Sequence, residues 1–268
     1  MTRALTLAIA ATALAIAVTS IMDASGLTAF SALPLFPLAG ILIASRRSWH
    51  GAGLRWGAGR DYAWALAYPA IVIGLCAAVA LGSGASPTLA RVNWAKALGN
   101  VGLITVATFV IALITEEGFF RGALWAVIGD AGLQRRATLA WTTIAFALWH
   151  VSAVTLPTGF DLPRARVPLF LINAAVLGGM WGILRLRSGS IVVSSVSHGL
   201  WNGLAYTLFG YGTKVGALGI TRTDIYGPEV GVVGLTLDLL ALGITILLAR
   251  RHFSDPIPTA PIHAVIAP

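Results

Sequence analysis

Charged residues are scarce in this chain: they make up 10% of its 268 residues, against about 25% in a typical soluble domain. That scarcity excludes an ordinary water-soluble domain. With 57% apolar residues and a mean hydropathy of +0.84, most of the surface must face a bilayer. Cysteine is nearly absent as well. The single Cys76 excludes an intramolecular disulfide, and inside an apolar run it reads as a small hydrophobe. Long alternations of apolar and polar residues are missing, which leaves helices rather than a β-barrel as the spanning structure. Acidic residues are the rarer charged class, so the formal net charge is +8. In a soluble protein that excess would suggest nucleic acid. Here the basic residues sit between apolar runs and read as topology signals facing anionic headgroups, so no nucleic-acid partner is expected.

What the sequence does have is a series of long apolar runs. A spanning helix needs about 20 such residues. Eight stretches qualify: 4–22, 27–45, 62–81, 98–122, 138–156, 167–186, 190–209 and 230–249. They predict an all-α, polytopic membrane bundle of about eight transmembrane helices, forming one domain over residues 1–252. Residues 1–22 read as a retained first helix, because the run is long and lacks a convincing cleavage site. Residues 82–97, with Gly-Ser-Gly, Pro87 and Trp94, read as an outside loop with an interfacial piece. The tail 253–268 carries four prolines and no periodicity and is expected to be disordered.

Charge asymmetry orients this bundle. With a cytoplasmic N-terminus, the inside segments hold Arg3, Arg46, Arg47, Arg55, Arg60, Arg121, Arg135, Arg136, Arg185, Arg187, Arg250 and Arg251. The outside segments hold Arg91, Lys96, Arg164, Arg166, Lys214 and Arg222, so the count is twelve against six, as the positive-inside rule requires. Both termini are then cytoplasmic, and the composition suggests a multi-pass protein of a bacterial cell membrane. No internal repeat is visible.

Against this background, ionisable groups inside spans stand out, since each costs roughly 2.5–3.5 kcal/mol on insertion scales. The fourth span ends in Thr115-Glu116-Glu117-Gly118-Phe119-Phe120-Arg121. Glu117 and Arg121, four apart, share a face and can pair, while Glu116 is rotated about 100° away and lacks that partner. Two adjacent carboxylates in different environments suit acid/base chemistry, although an interfacial ion pair would look the same. His150 lies inside the fifth span, where it is either a core histidine bonded to a carbonyl or a second base or metal ligand. Phe146 shares its face and reads as packing. His198 and Asn202 project to one side of the seventh span and could hold one developing negative charge. Their neighbours Gly199 and Gly203 form a small-xxx-small packing ridge. Asp238 reads as a buried helix-bonding group. Trp125, Trp149 and Trp201 are candidate cavity-lining residues or interfacial anchors, and His50, His252 and His263 read as solvated.

Taken together, Glu-Glu-x-x-x-Arg, Phe-x-x-x-His and His-x-x-x-Asn, in this order over about residues 98–205, resemble the CPBP family of intramembrane proteases. That family includes the CAAX prenyl endopeptidases of the Ras-converting type and bacteriocin-immunity relatives. The first three spans show no matching motif. The resemblance implies an intramembrane endopeptidase acting on a peptide or protein substrate at the membrane, with lipidation of the substrate left open. It implies that Glu116 activates water, that His150 assists, that His198 and Asn202 stabilise the oxyanion, and that Glu117 and Arg121 support Glu116. The cavity is expected to open to the cytoplasm. No cofactor is favoured: the zinc-protease motif His-Glu-x-x-His is absent. The alternative is Zn2+ held by Glu116, His150 and His198. Two other functions fit buried carboxylates and histidines, a proton-coupled transporter and a non-catalytic immunity or scaffold protein.

Overall fold

A computed structural model describes residues 2–45, 50–86, 91–160 and 162–253. Pro87, His263 and the tail beyond Phe253 lie outside the described residues. Helices dominate: α1 (Arg3–Ala24), α2 (Leu35–Ser45), α3 (Gly59–Gly82) and α4 (Trp94–Ile114) come first. A π-helical segment, Glu117–Leu124, then runs directly into α5 (Trp125–Asp130). After these come α6 (Arg135–Trp149), the short α7 (Val151–Thr155), α8 (Val167–Ser188), α9 (Ile191–Leu208), α10 (Thr223–Tyr226) and α11 (Val232–Ala249). A two-residue hairpin, Gly210–Tyr211 against Lys214–Val215, follows α9.

Among the described residues, seven helical stretches are long and apolar enough to cross a bilayer. The eighth expected span is α9. Its serines, His198 and Asn202 lower its hydropathy, and it is also largely buried, packed against α3, α4 and α8. Helices that face lipid show the opposite pattern. Leu98, Leu103, Val106 and Val110 of α4, and Leu239, Leu240, Leu247 and Leu248 of α11, are exposed. With no water to reward burying leucine, a polar helix is driven inward and apolar ones outward.

The most extensive helix pair is α4 with α9. The glycine ridge makes it possible. A β-carbon on Gly199 would lie 2.6 Å from the Thr105 carbonyl oxygen, and one on Gly203 would run into Thr105 Oγ1 and lie 2.8 Å from the Val101 carbonyl oxygen. Gly203→Ala must therefore force the two backbones apart, at about 1–3 kcal/mol for overpacking. Thermal unfolding in detergent should show a clear loss of stability for Gly203→Ala and none for Gly102→Ala, whose new methyl would meet nothing within 4 Å. Equal melting of the two variants would contradict this packing.

The helices alternate direction, so the bundle has two ends. One carries the N-terminus, Arg55, Arg60, Arg135, Arg136, Arg187 and the Arg250–Phe253 turn. There Arg185 donates to the Gly51 carbonyl at 2.8 Å, and Arg55 donates to the Gly189 carbonyl at 2.8 Å. The other end carries the connections 25–34, 83–93, 156–166 and 209–231. Arg121 belongs to neither end, contrary to its expected place among the inside segments. It is fully buried, and among the described residues the basic count is nine against six.

Asp238 has the helix-bonding role expected of it, accepting from Tyr68 Oη at 2.7 Å between α11 and α3.

Candidate active site

The site begins where α4 stops. Thr115 leaves helical geometry (φ −105°, ψ −91°), and the next turns widen into the π segment. A wider turn brings the carbonyl five residues back close to the chain. A β-carbon at Gly118 would sit 2.7 Å from the Leu113 oxygen, so only glycine fits there. Such π segments recur at functional sites. This one separates the two glutamates. The side chain of Glu116 is 16% exposed and lines a cavity, whereas that of Glu117 is 0% exposed.

Glu117 Oε1 lies 3.3 Å from Arg121 Nη1 and 3.2 Å from His198 Nδ1. The pairing with Arg121 is the one the four-residue spacing predicted. Arg121 is held further by donating to the Gly178 carbonyl at 3.0 Å and by lying 4.2 Å over the Phe146 ring. Gly178 leaves room for it, since a β-carbon there would be 3.2 Å from Arg121 Nη2. The contact with His198 was not foreseen, because it depends on how α9 is rotated against the π segment. Glu117 accepts, so Nδ1 of His198 carries the hydrogen and Nε2 is left facing Glu116, 3.9 Å from Oε2. That distance is too long for a direct hydrogen bond. Trp181 stacks on the imidazole, with centroids 3.8 Å apart and planes within 12°.

His150 sits at the junction of α6 and α7. Its Nδ1 is 2.9 Å from the Phe146 carbonyl, which can only accept, so Nε2 is the free nitrogen. It therefore has the backbone bond of a core histidine and also lines the cavity. Glu116, His150, His198 and Asn202 all border this one space of about 200 Å³. Phe146 borders it too, as part of an aromatic group with Phe120, Trp149 and Trp181. Of the three tryptophans singled out, Trp149 lines the cavity, Trp201 is buried behind it and Trp125 packs under Arg185. For zinc the fit is poor: among the described residues, no three His, Cys, Asp or Glu side chains converge as a metal site.

Several lining residues had no sequence signal. Asp23, at the end of α1, accepts from Ser152 Oγ at 2.6 Å and leaves Oδ1 without a partner. Glu229, in the connection before α11, accepts from Trp201 Nε1 at 3.2 Å and reaches the same cavity. Burial pushes its carboxyl up to about 7, with the Trp201 hydrogen bond and His198 opposing. Ionised Glu229 is thus penalised in the folded state relative to the unfolded chain. The penalty is absent below the ordinary value of 4.5 and grows as pH rises toward about 7. Stability measured across this window should fall with rising pH in the parent protein. The fall should be smaller in Glu229→Gln, and identical slopes would refute the assignment.

The cavity is reached from one end of the bundle. Its rim comes from Thr28, Ser31, Ala32, Phe160, Tyr211 and Glu229, all at the end opposite the N-terminus. Toward the basic end the site is sealed: every residue from Glu117 to Gly129 is buried, as are Gly189 to Ser195. A cytoplasmic N-terminus and a cytoplasmic mouth are therefore incompatible.

Residues 98–204 match the family model described as type II CAAX prenyl endopeptidase Rce1-like. The matched stretch contains Glu116, Glu117, Arg121, His150, His198 and Asn202, and it coincides with the stretch that carries the three motifs. No curated protein matches significantly.

Proposed function

We propose that this integral membrane protein is an intramembrane endopeptidase that hydrolyses a peptide bond with water activated by Glu116. The observation that carries the reading is the cavity where Glu116, His150, His198 and Asn202 meet within the family-matched segment. A water in the space bordered by Glu116, His198 and His150 could give one hydrogen to Glu116 and the other to His150 Nε2. Glu116 takes a proton as the water oxygen attacks the scissile carbonyl carbon. The oxyanion accepts from the Asn202 amide N–H and from His198 Nε2–H, the ring entering the cycle as an imidazolium and keeping that proton throughout. The carbon–nitrogen bond then breaks, and Glu116 returns its proton to the leaving amine. Glu117 and Arg121 act as positioning residues, holding His198 at a fixed angle. The surrounding aromatic and apolar groups lower the local dielectric and strengthen each of these contacts.

Purified protein in detergent, incubated with a peptide library and read by mass spectrometry, should yield new termini at a defined position. The yield should be the same with and without a chelator. A chelator-sensitive reaction would replace glutamate-activated water with metal chemistry. No cleavage by folded protein, together with proton-coupled flux in proteoliposomes, would favour the transporter.

A further inference from the structure

The cavity that holds Glu116 has a second group of polar residues, and its chemistry differs from that of the two histidines. Three of the chain's ten acidic residues line this space, Asp23, Glu116 and Glu229, and among the described residues no Arg or Lys does. In a chain of net charge +8 that is a local reversal of sign. Glu116 faces His198. Asp23 and Glu229 are bonded instead to neutral donors, the Ser152 hydroxyl and the Trp201 indole. Acceptors are also left over. Asp23 is 1% exposed, and its Oδ1 has no partner. Asn173 is equally buried; it donates Nδ2 to the carbonyls of Pro228 at 2.8 Å and Glu229 at 3.2 Å, which leaves its Oδ1 unmatched. Tyr211 ties the group together. Partial burial, then the Glu229 and Asp23 carboxylates, push its phenol up to about 12, so both carboxylates lie within electrostatic reach of one ring. A buried acceptor without a donor and a buried carboxylate without a cation each cost free energy, and a guest that carries N–H donors and positive charge relieves both.

We infer that Asp23, Asn173 and Glu229 form a side-chain subsite that takes the ammonium or guanidinium group of a lysine or arginine flanking the scissile bond. The place beside a cut bond rests on the peptidase reading; the affinity for a cation does not. An ammonium offers three donors and a guanidinium five, enough for Asp23 Oδ1, Asn173 Oδ1 and the Glu229 carboxylate together. Both carboxylates gain a counter-ion in surroundings of low dielectric. The rings of Trp149, Phe160 and Tyr211 border the same space and suit a cation as well. Because this group and Glu116 share a space of about 200 Å³, one residue of a substrate can meet both.

Three peptide pools test this, with lysine, arginine or norleucine fixed at the centre and uncharged residues elsewhere. Acetylated and amidated ends make the central side chain the only cation. The parent protein in detergent should cut the lysine and arginine pools about 10- to 100-fold faster than the norleucine pool, as a hydrogen bond to a charged group allows. Asp23→Asn and Glu229→Gln keep the side-chain shape, and each should lower that ratio while melting like folded protein. A parental ratio near one overturns the inference whatever the variants do, and so does a parental ratio that persists in whichever variant folds. Binding is read separately, by fluorescence anisotropy of the labelled pools on Glu116→Gln protein. The lysine and arginine pools should bind about 10-fold tighter or more, and equal binding of all three overturns the inference. A norleucine pool with free N-terminal amines that binds as tightly as the lysine pool would assign the cation to the α-ammonium and overturn the side-chain subsite. If the parent cuts no pool but Glu116→Gln still prefers the cations, the peptidase reading fails and the cation subsite stands.

Discussion

Glu116→Gln is expected to lower the rate of peptide cleavage by about 100- to 10,000-fold, the range associated with losing a positioned acid/base group. The substitution keeps the shape of the side chain and removes only its ability to take a proton. Its effect on folding should be small. Glu116 borders a cavity, and its 3.9 Å approach to His198 Nε2 is too long for a hydrogen bond, so no buried bond is broken. The melting temperature should stay within the error of the parent value while product formation disappears. Folded Glu116→Gln protein that cleaves at the parental rate would falsify the assignment of this residue.

Glu117→Gln should fail in a different way. It leaves Arg121 fully buried without its carboxylate, and breaking a buried pair from one side costs about 3–5 kcal/mol. It also weakens the acceptor that fixes His198 Nδ1 at 3.2 Å. Both stability and turnover should drop. The double substitution Glu117→Gln/Arg121→Met separates the two losses, because replacing both partners removes the uncompensated charge. Thermal stability should recover in the double variant, whereas kcat should stay low because His198 remains unanchored. A double variant that regains full turnover would show that Glu117 matters only for stability. One that remains unstable would show that Arg121 needs more than its carboxylate partner.

Much of this arrangement was legible in the sequence. Runs of about 20 apolar residues mark the spans because a bilayer offers no other partner for the backbone. The six site residues stand out because they are polar at that depth. The four-residue spacings place Glu117 with Arg121 and His198 with Asn202, and the structure keeps both relations. What the sequence could not convey comes from outside one-helix geometry. A period of 3.6 residues does not foresee the π segment, although Gly118 near its start was a clue. The contact between His198 and Glu117 depends on the rotation of α9, which the glycine contacts with α4 decide. Asp23 and Glu229 sit at helix ends, where an acidic residue is ordinary, so nothing in the sequence set them apart.

The close fit between α4 and α9 has a consequence for what the proposed peptidase could digest. Two backbones in van der Waals contact cannot part to admit a third helix, which with side chains measures about 10–12 Å across. A recess of about 200 Å³ holds only a few residues of chain. Any helical target must first unwind locally before its amide meets the water, and that melting adds to the barrier. Sequences with glycine or proline near the cut should be consumed fastest, and stiff leucine-rich helices should resist, so the conformational softness of the target sets the order of cleavage alongside its side chains.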